Sequence, residues 1–208
     1  MPTAIIPELL YTDMAGESIQ QLSKGDKAPP FTLKGTDNDH YTLDSFTDNE
    51  ALLIIFTCNH CPYAKAKFDL LNEIATEHDE VAVVGINSND AEEYPDDSFE
   101  NMQELVENGT IQYDAYLFDE TQDVAKQYGA VCTPDPFLFA IEDETPKLVY
   151  HGRLDDALSP QETPTQFEIH DAIDAVLNDE PVELEFKPSR GCTIKWKEDN
   201  EPDYWSEI

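Results

Sequence analysis

The chain has 208 residues and enough hydrophobic residues (40%) for a globular core, but 45 acidic against 12 basic side chains give it a formal net charge of −33. Such a surface argues against nucleic acid and anionic membranes as partners, because both are polyanions. It also repels itself at low salt, a cost that concentrated salt relieves by shortening the Debye length to about 3 Å at 1 M. We therefore expect a halophilic host with a salty interior, rather than a calcium-binding acidic protein or a partly disordered chain.

The cysteine content and the lack of long apolar runs bear on location. No run approaches the roughly 18 apolar residues that a membrane span needs, so we expect a soluble, cytoplasmic protein. In that compartment four cysteines indicate redox or metal chemistry rather than a framework of structural disulfides. We divide the chain into an N-terminal extension (1–22), one domain (23–180) and an acidic C-terminal tail (181–208).

The first predicted elements are short alternating strands at 31–33 and 41–43. Continuous apolar runs follow at 51–56 and 81–86, and such runs are typical of strands in the middle of a sheet covered on both faces. A helical spacing of apolar residues lies between these two runs, which predicts a right-handed parallel crossover. Its apolar positions are Ala64, Phe68, Leu71 and Ala75.

Strands and helices continue to alternate in the second half of the chain. In order, the patterns predict a helix capped by Ser98 and stopped by Gly109, a strand at 115–118, a short helix at 124–128, a hairpin of 137–141 with 147–150, and a helix at 167–177. Alternation closed by a hairpin and a helix predicts a three-layer α/β fold with a central mixed sheet.

The strongest chemical signal is Cys58-Asn59-His60-Cys61, directly after the strand at 51–56 and before a helix that starts near Pro62. Proline is favoured at the first helical position, and a helix N-terminus offers unpaired N–H groups that stabilise a thiolate, the nucleophile of disulfide exchange. We expect Cys58 to be the more exposed, attacking thiol and Cys61 to resolve the mixed disulfide. The alternative is a pair of buried or zinc-binding cysteines.

His60 stands between the two cysteines. A partly protonated imidazole there would favour the thiolate and make the pair more oxidising. The alternative is a solvent-facing residue that only fills the turn. The acidic run 90–97 is predicted to be a solvated loop, with cation binding as its alternative.

Two further cysteines extend the possible chemistry. Cys132 precedes Thr133-Pro134, and Cys192 stands alone in the tail. Cys192 could fold back and exchange with Cys132 or the central pair as an internal relay, or it could be an unpaired surface thiol; Cys132 could be a small buried residue. All four cysteines could instead hold zinc or an iron–sulfur cluster, or the central pair could serve a copper chaperone. We expect Trp196 and Trp205 to pin the tail onto the domain.

Several segments resemble the thioredoxin superfamily, on its branch of peroxiredoxin-like, redoxin-domain (AhpC/TSA-like) proteins. They are Gly25–Leu33, Thr57–Tyr63, Gly85–Asp90, Cys132–Asp135 and Gly152–Asp156, with Gly191–Trp196 as a match in the tail. The resemblance implies a thioredoxin-like three-layer fold with an N-terminal β-hairpin extension and a C-terminal tail. It also implies a cis Thr133–Pro134 bond packed against the two-cysteine turn, with the backbone of Thr133 offered to a bound peptide.

The activity that the resemblance implies is thiol–disulfide exchange without a cofactor. Cys58 and Cys61 would be catalytic, and His60 and Pro62 would modulate them. The substrate would be a disulfide-containing protein or small molecule, and the partner a thiol reductant such as a thioredoxin-type system. Leu52 replaces the buried acid of thioredoxins, so the proton acceptor for Cys61 must come from elsewhere.

An antioxidant thiol peroxidase is the first alternative function, and a metal-binding or redox-sensing module is the second. When the chain is aligned with peroxiredoxins, Cys61-Pro62 falls on the peroxide-reacting position. Cys58 then replaces the threonine that orients peroxide, and Arg153 is the candidate for the family's arginine. These departures favour disulfide exchange over peroxide reduction.

Overall fold

A computed structural model describes residues 15–207, so residues 1–14 of the predicted N-terminal extension lie outside the described part. Ten strands form within it. They are β1 (Ala15–Glu17), β2 (Thr32–Gly35), β3 (His40–Thr42), β4 (Ala51–Phe56), β5 (Val81–Asn87), β6 (Ala115–Phe118), β7 (Cys132–Thr133), β8 (Asp135–Glu142), β9 (Thr145–His151) and β10 (Arg190–Thr193).

Seven of these strands form a mixed sheet in the order β3-β2-β6-β5-β4-β8-β9. The two continuous apolar runs are its central strands: every residue of β4 and β5 is buried, and the two strands pair in parallel. The short strands β2 and β3 form the expected hairpin at one edge. The predicted α/β fold of the thioredoxin type, with a central mixed sheet, is confirmed.

Five α-helices cover the sheet: α1 (Pro62–Lys65), α2 (Phe68–Glu77), α3 (Phe99–Glu107), α4 (Asp123–Tyr128) and α5 (Glu168–Leu177). Helices α2 and α5 pack on one face of β4, and α4 packs on the other together with Trp196. These layers agree with the predicted three-layer arrangement. No helix within residues 15–207 is both long and apolar enough to cross a membrane.

The helix predicted between β4 and β5 is interrupted. The N–H of Lys67 bonds to the carbonyl of Ala64 at 3.0 Å, three residues back, which tightens the turn and ends α1 before α2 begins at Phe68. The side chain of Lys67 then reaches across to Asp155, with Nζ 2.6 Å from Oδ1. The apolar positions of α2 keep their predicted spacing, and Phe68, Leu71 and Ile74 are buried.

A second sheet has three strands, in the order β1-β10-β7, and both neighbours of β10 run antiparallel to it. It joins a segment of the N-terminal extension and a segment of the tail to the strand before Pro134. Trp196 is buried just after β10 and meets Trp205 edge-on, with ring centroids 6.0 Å apart. The prediction that these two tryptophans hold the tail on the domain is confirmed.

The excess of acidic side chains leads to a prediction about salt. Raising potassium chloride from about 0.1 M to about 1 M shortens the Debye length from about 10 Å to about 3 Å, and the midpoint of thermal unfolding should rise by about 10 °C or more as repulsion is screened. Differential scanning calorimetry measures this, and sorbitol of equal osmolality controls for solvent exclusion. A midpoint that stays constant or falls with salt would contradict the expected adaptation.

Candidate active site

The two central cysteines lie where the sequence predicts them. β4 ends at Phe56, and Pro62 is the first residue of α1, with Cys61 as its N-cap. All four cysteines of the chain are free thiols. Cys58 and Cys61 both have a relative exposure of 0%, so the prediction that Cys58 is the more exposed thiol is wrong. The turn is covered because both thiols belong to an apolar cluster that includes Cys192 of β10.

Thr133 and Pro134 face the two-cysteine turn. The Thr133–Pro134 bond is cis, as the resemblance implies. Cys58 Sγ lies 3.3 Å from Thr133 Oγ1, and Cys61 Sγ lies 3.4 Å from the carbonyl oxygen of the same threonine. Strand β7, which ends at Thr133, is therefore in direct contact with both thiols.

Cys61 is the thiol on which negative charge is best supported. Burial opposes its ionisation, but hydrogen bonds from the Cys192 and Cys58 thiols and from the N–H groups of Ala64 and Cys192 outweigh that cost and lower the pKa of Cys61. When Cys61 is protonated, its S–H can instead donate to the carbonyl of Thr133. Either protonation state thus has partners.

Cys58 is the neutral partner. Burial, the contact with Cys61 and the charge of Asp97 all raise the pKa of Cys58, while its contact with Thr133 opposes them. The expected helix-terminus stabilisation of a thiolate therefore acts at Cys61, because that residue is the N-cap of α1, whereas Cys58 lies a turn further from the helix.

Cys192 completes a group of three neighbouring thiols. Its relative exposure is 4%, so the alternative of a surface thiol is wrong. Its position beside Cys61 and its burial raise the pKa of Cys192, so Cys192 is a protonated thiol in the same apolar cluster as Cys61. Cys132 is also buried, but its Sγ lies 3.6 Å from the carbonyl of Pro134 and 3.8 Å from that of Ser189. Cys132 thus takes part in contacts with backbone carbonyls beside the group.

His60 is bound to Asp97, a partner that the sequence analysis did not identify. His60 Nδ1 lies 2.6 Å from Asp97 Oδ2, and the Asp97 side chain is fully buried while 21% of the His60 side chain remains exposed. The bond to Asp97 raises the pKa of His60, although burial partly opposes it. The prediction of a solvated acidic loop at 90–97 is therefore wrong for Asp97, since that carboxylate faces inward.

A set of amide groups holds Asp97 in place. Its Oδ1 accepts the backbone N–H of Asn59 at 2.7 Å, and its Oδ2 accepts a hydrogen bond from Asn89 at 2.7 Å. Asn89 in turn accepts the backbone N–H of Lys195 at 2.9 Å, which links the tail to the same carboxylate. Tyr116 fixes Asn59 by donating to its side-chain oxygen at 2.8 Å. Both residues between the cysteines, Asn59 and His60, thus bind one buried acid.

The site also contains one cluster with the composition of a metal site. Within residues 15–207, Cys58, His60 and Asp97 offer ligand atoms within 4.8 Å of one another, and no other group of three or more such residues does. Hydrogen bonds from Asn59, His60 and Asn89 already occupy the carboxylate oxygens, and an ion would have to displace them. The donor set therefore fits a histidine–carboxylate pair better than a metal centre. The four cysteines do not form such a ligand group.

Two peripheral features define the surroundings. Arg153, the candidate arginine of the peroxidase alternative, binds Glu168, with Nε 2.8 Å from Oε1. An open groove of about 370 Å³ borders Asn59 and His60, and Lys65 and Asn101 also line it. The groove gives solvent access at His60, and neither cysteine of the turn lines it.

Comparisons with known proteins place the chain among redox proteins. The model described as the AhpC/TSA family matches residues 24–151. No curated protein matches the chain.

Two solved structures are similar over almost the whole chain. One, an uncharacterized conserved protein from Geobacillus kaustophilus, has 43% identity and a TM-score of 0.78, covering 88% of this chain and 96% of its own. The other, a hypothetical protein from Sinorhizobium meliloti 1021, has 36% identity and a TM-score of 0.76, covering 87% and 98%. A thioredoxin-like protein from Aeropyrum pernix, at 13% identity and a TM-score of 0.52 over 72% and 89%, is similar in fold alone.

Proposed function

This chain belongs to the AhpC/TSA family of thiol-dependent redox proteins, and we propose that it is a thiol–disulfide oxidoreductase that cycles Cys58 and Cys61 between dithiol and disulfide. One observation carries the proposal. Cys61 caps a helix N-terminus with a neutral thiol, Cys58, one turn away and the cis Thr133–Pro134 segment against both. A pair of thiols with unequal proton affinity is what stepwise disulfide exchange requires.

The first step is attack by the Cys61 thiolate on a substrate disulfide. A bond forms between Cys61 Sγ and one substrate sulfur, and the other substrate sulfur leaves as a thiolate. Cys58 then attacks Cys61 Sγ, so that the Cys58–Cys61 disulfide forms and the second substrate sulfur leaves. Two electrons pass from the dithiol to the substrate, and a thiol reductant of the thioredoxin type would return them. This order reverses the roles expected from the sequence, because Cys61 is the better supported thiolate.

His60 and Asp97 would manage the proton of Cys58. A His60 ring nitrogen lies within 4.8 Å of Cys58 Sγ, and Asp97 fixes the ring through Nδ1. The neutral imidazole accepts the proton as Cys58 attacks, and the imidazolium is stabilised by the buried carboxylate. This pair supplies the proton acceptor that thioredoxins obtain from the acid replaced here by Leu52.

The surroundings of the thiols favour a small substrate over a protein disulfide. Both reactive sulfurs are buried, and the groove beside His60 borders the turn that carries them without reaching either sulfur. A compact disulfide would have to displace fewer of the covering residues than a protein chain would. We place this activity in the salty cytoplasm of a halophile, which the net charge of −33 supports.

A thiol peroxidase is the second candidate. The family favours it, and so does Cys61-Pro62, which aligns with the peroxide-reacting position. The pKa of Cys61 is lowered, and this residue lies at the start of a helix. Two features count against it. Cys58 stands where a peroxidase has a threonine, and Arg153 is bound to Glu168 instead of facing a thiol.

The two candidates separate in a stopped-flow experiment on the reduced chain. Oxidised glutathione should consume the dithiol about 100-fold faster than it consumes free cysteine, because a preformed thiolate attacks and a second thiol resolves. Hydrogen peroxide should react at about the rate of free cysteine. A chain with both Cys58→Ser and Cys61→Ser is the matched control. The opposite order of the two rates would support the peroxidase and overturn the proposed exchange activity.

A further inference from the structure

The edge of strand β7, beside the cis proline, is already occupied by the tail of the same chain. The resemblance implies that Thr133 offers its backbone to a bound peptide, but here β10 pairs antiparallel with β7 and sets Cys192 opposite Thr133. The pairing is anchored on both sides, since Ile194 N–H bonds to Val131 at 2.9 Å and Ser189 Oγ donates to the carbonyl of Pro134 at 2.6 Å. The tail therefore lies where a substrate peptide would lie, with a cysteine at the centre.

Gly191 shows that this contact is unusually close. A Cβ at Gly191 would lie 2.0 Å from the carbonyl oxygen of Thr133 and 3.1 Å from the backbone nitrogen of Pro134. Both are backbone atoms that cannot rotate away, so any side chain at 191 would push β10 off β7. A glycine is required for the tail to approach the cis proline, and the next residue, Cys192, is thereby held against the thiol pair.

The three sulfurs form a series with Cys61 in the middle. All three cysteines belong to one buried cluster, and Cys61 Sγ lies 3.4 Å from the carbonyl oxygen of Thr133, the residue that pairs with Cys192. A disulfide between Cys58 and Cys61 would therefore have a third thiol beside it in the same cluster. The rate of exchange depends on the access of the attacking thiol to the sulfur that it attacks.

We propose that Cys192 is the third exchange thiol of this site, and that β10 is a built-in substrate strand which carries the disulfide from Cys58–Cys61 to Cys61–Cys192. The proposal rests on the proposed function, since it needs the Cys58–Cys61 disulfide as its starting point. Cys192 Sγ attacks Cys61 Sγ, the Cys61–Cys192 bond forms, the Cys58–Cys61 bond breaks, and the proton of Cys192 passes to Cys58. The number of disulfides is unchanged, so no further oxidant is needed.

As a consequence, the three thiols have different roles. Cys58, beside His60, returns to the reduced state, while the oxidising equivalent is stored under β10. Because β10 occupies the edge, a protein substrate cannot pair with Thr133 while the tail is in place.

Disulfide mapping over time tests this inference. The reduced wild-type chain is mixed with oxidised glutathione, quenched in acid, alkylated and analysed by peptide mass spectrometry. The Cys58–Cys61 peptide should appear first. The Cys61–Cys192 peptide, with Cys58 alkylated, should follow and reach within about tenfold of it, because the two disulfides are isomers of similar bond energy.

Two variants sharpen the test. Gly191→Ala should lower the Cys61–Cys192 peptide by about tenfold or more while Cys58–Cys61 still forms, because only the position of β10 changes. Cys132→Ser is the matched cysteine control and should retain the Cys61–Cys192 peptide.

The experiment on the wild-type chain tests the inference even if a variant fails to fold. If Cys58–Cys61 forms and Cys192 is alkylated at every time point, the inference is overturned and the exchange activity stands. If no disulfide forms among Cys58, Cys61 and Cys192 while glutathione is left unreduced, the proposed function itself fails.

Discussion

Replacing Cys61 with serine should abolish the reduction of small disulfides, with a loss of about 100-fold or more, because it removes the thiolate that begins the exchange. Cys58→Ser should leave the first attack in place, since the helix N-cap, the backbone donors and Cys192 still support the charge on Cys61. The rate of thiol release from a chromogenic disulfide in a single turnover measures that attack directly.

The resolving step separates the two cysteines further. When Cys58→Ser is combined with Cys192→Ser, no neighbouring thiol remains to attack Cys61. The mixed disulfide between Cys61 and the substrate should then persist and be detected by mass spectrometry of the intact chain. Cys132→Ser is the control. Two results would contradict this assignment and restore the order of attack that the motif alone predicts. They are the loss of the first attack in Cys58→Ser and a trapped mixed disulfide in Cys61→Ser.

Replacing Asp97 with alanine should destabilise the fold by about 3 kcal/mol or more, since it leaves three buried or partly buried donors without an acceptor. Chemical denaturation by urea, followed by tryptophan fluorescence, measures the loss. Asn89→Ala removes one of the three donors instead of the acceptor and serves as the milder comparison. An Asp97→Ala chain as stable as wild type would show that the acid does not organise the turn.

The same residue determines how the site responds to pH. Asp97 raises the pKa of His60, so the stability contributed by the pair is complete below the ordinary histidine pKa of 6.5 and is lost as the pH rises through the raised value. In Asp97→Asn the pKa of His60 should fall, and the pH at which resolution by Cys58 becomes fast should fall with it. NMR titration of the His60 ring, assigned with His60→Gln, checks the shift. An unchanged pKa would remove Asp97 from the proton path.

The part of the fold that sequence predicts well is the part determined by local pattern. The apolar runs of β4 and β5 have one favourable environment, the middle of a covered sheet, and the Cys58–Cys61 turn follows from its place between a strand and a proline-started helix. Strands β1, β7 and β10 have two to four residues each and no alternation. Their pairing joins residues far apart in the chain, and no local pattern indicates it.

The sequence does not reveal Asp97 as a site residue for a similar reason. Asp97 is one of 45 acidic residues, and nothing in the sequence distinguishes the few carboxylates that are buried from the many on the surface. The resemblance includes the segment at 85–90, but the role of Asn89 as a bridge between Asp97 and the tail depends on its contact with Lys195, which is more than a hundred residues away. The greater exposure predicted for Cys58 is not observed either, because the burial of a thiol cannot be deduced from the spacing of two cysteines.

The three-stranded sheet has a consequence for the life of the chain before it is finished. Its central strand ends at Thr193, so during synthesis the Cys58–Cys61 turn leaves the ribosome long before the strand that covers it. For that interval the thiols face the solvent, with neither β10 nor Cys192 beside them. The nascent chain is therefore a different redox species until β10 has emerged and paired with β7.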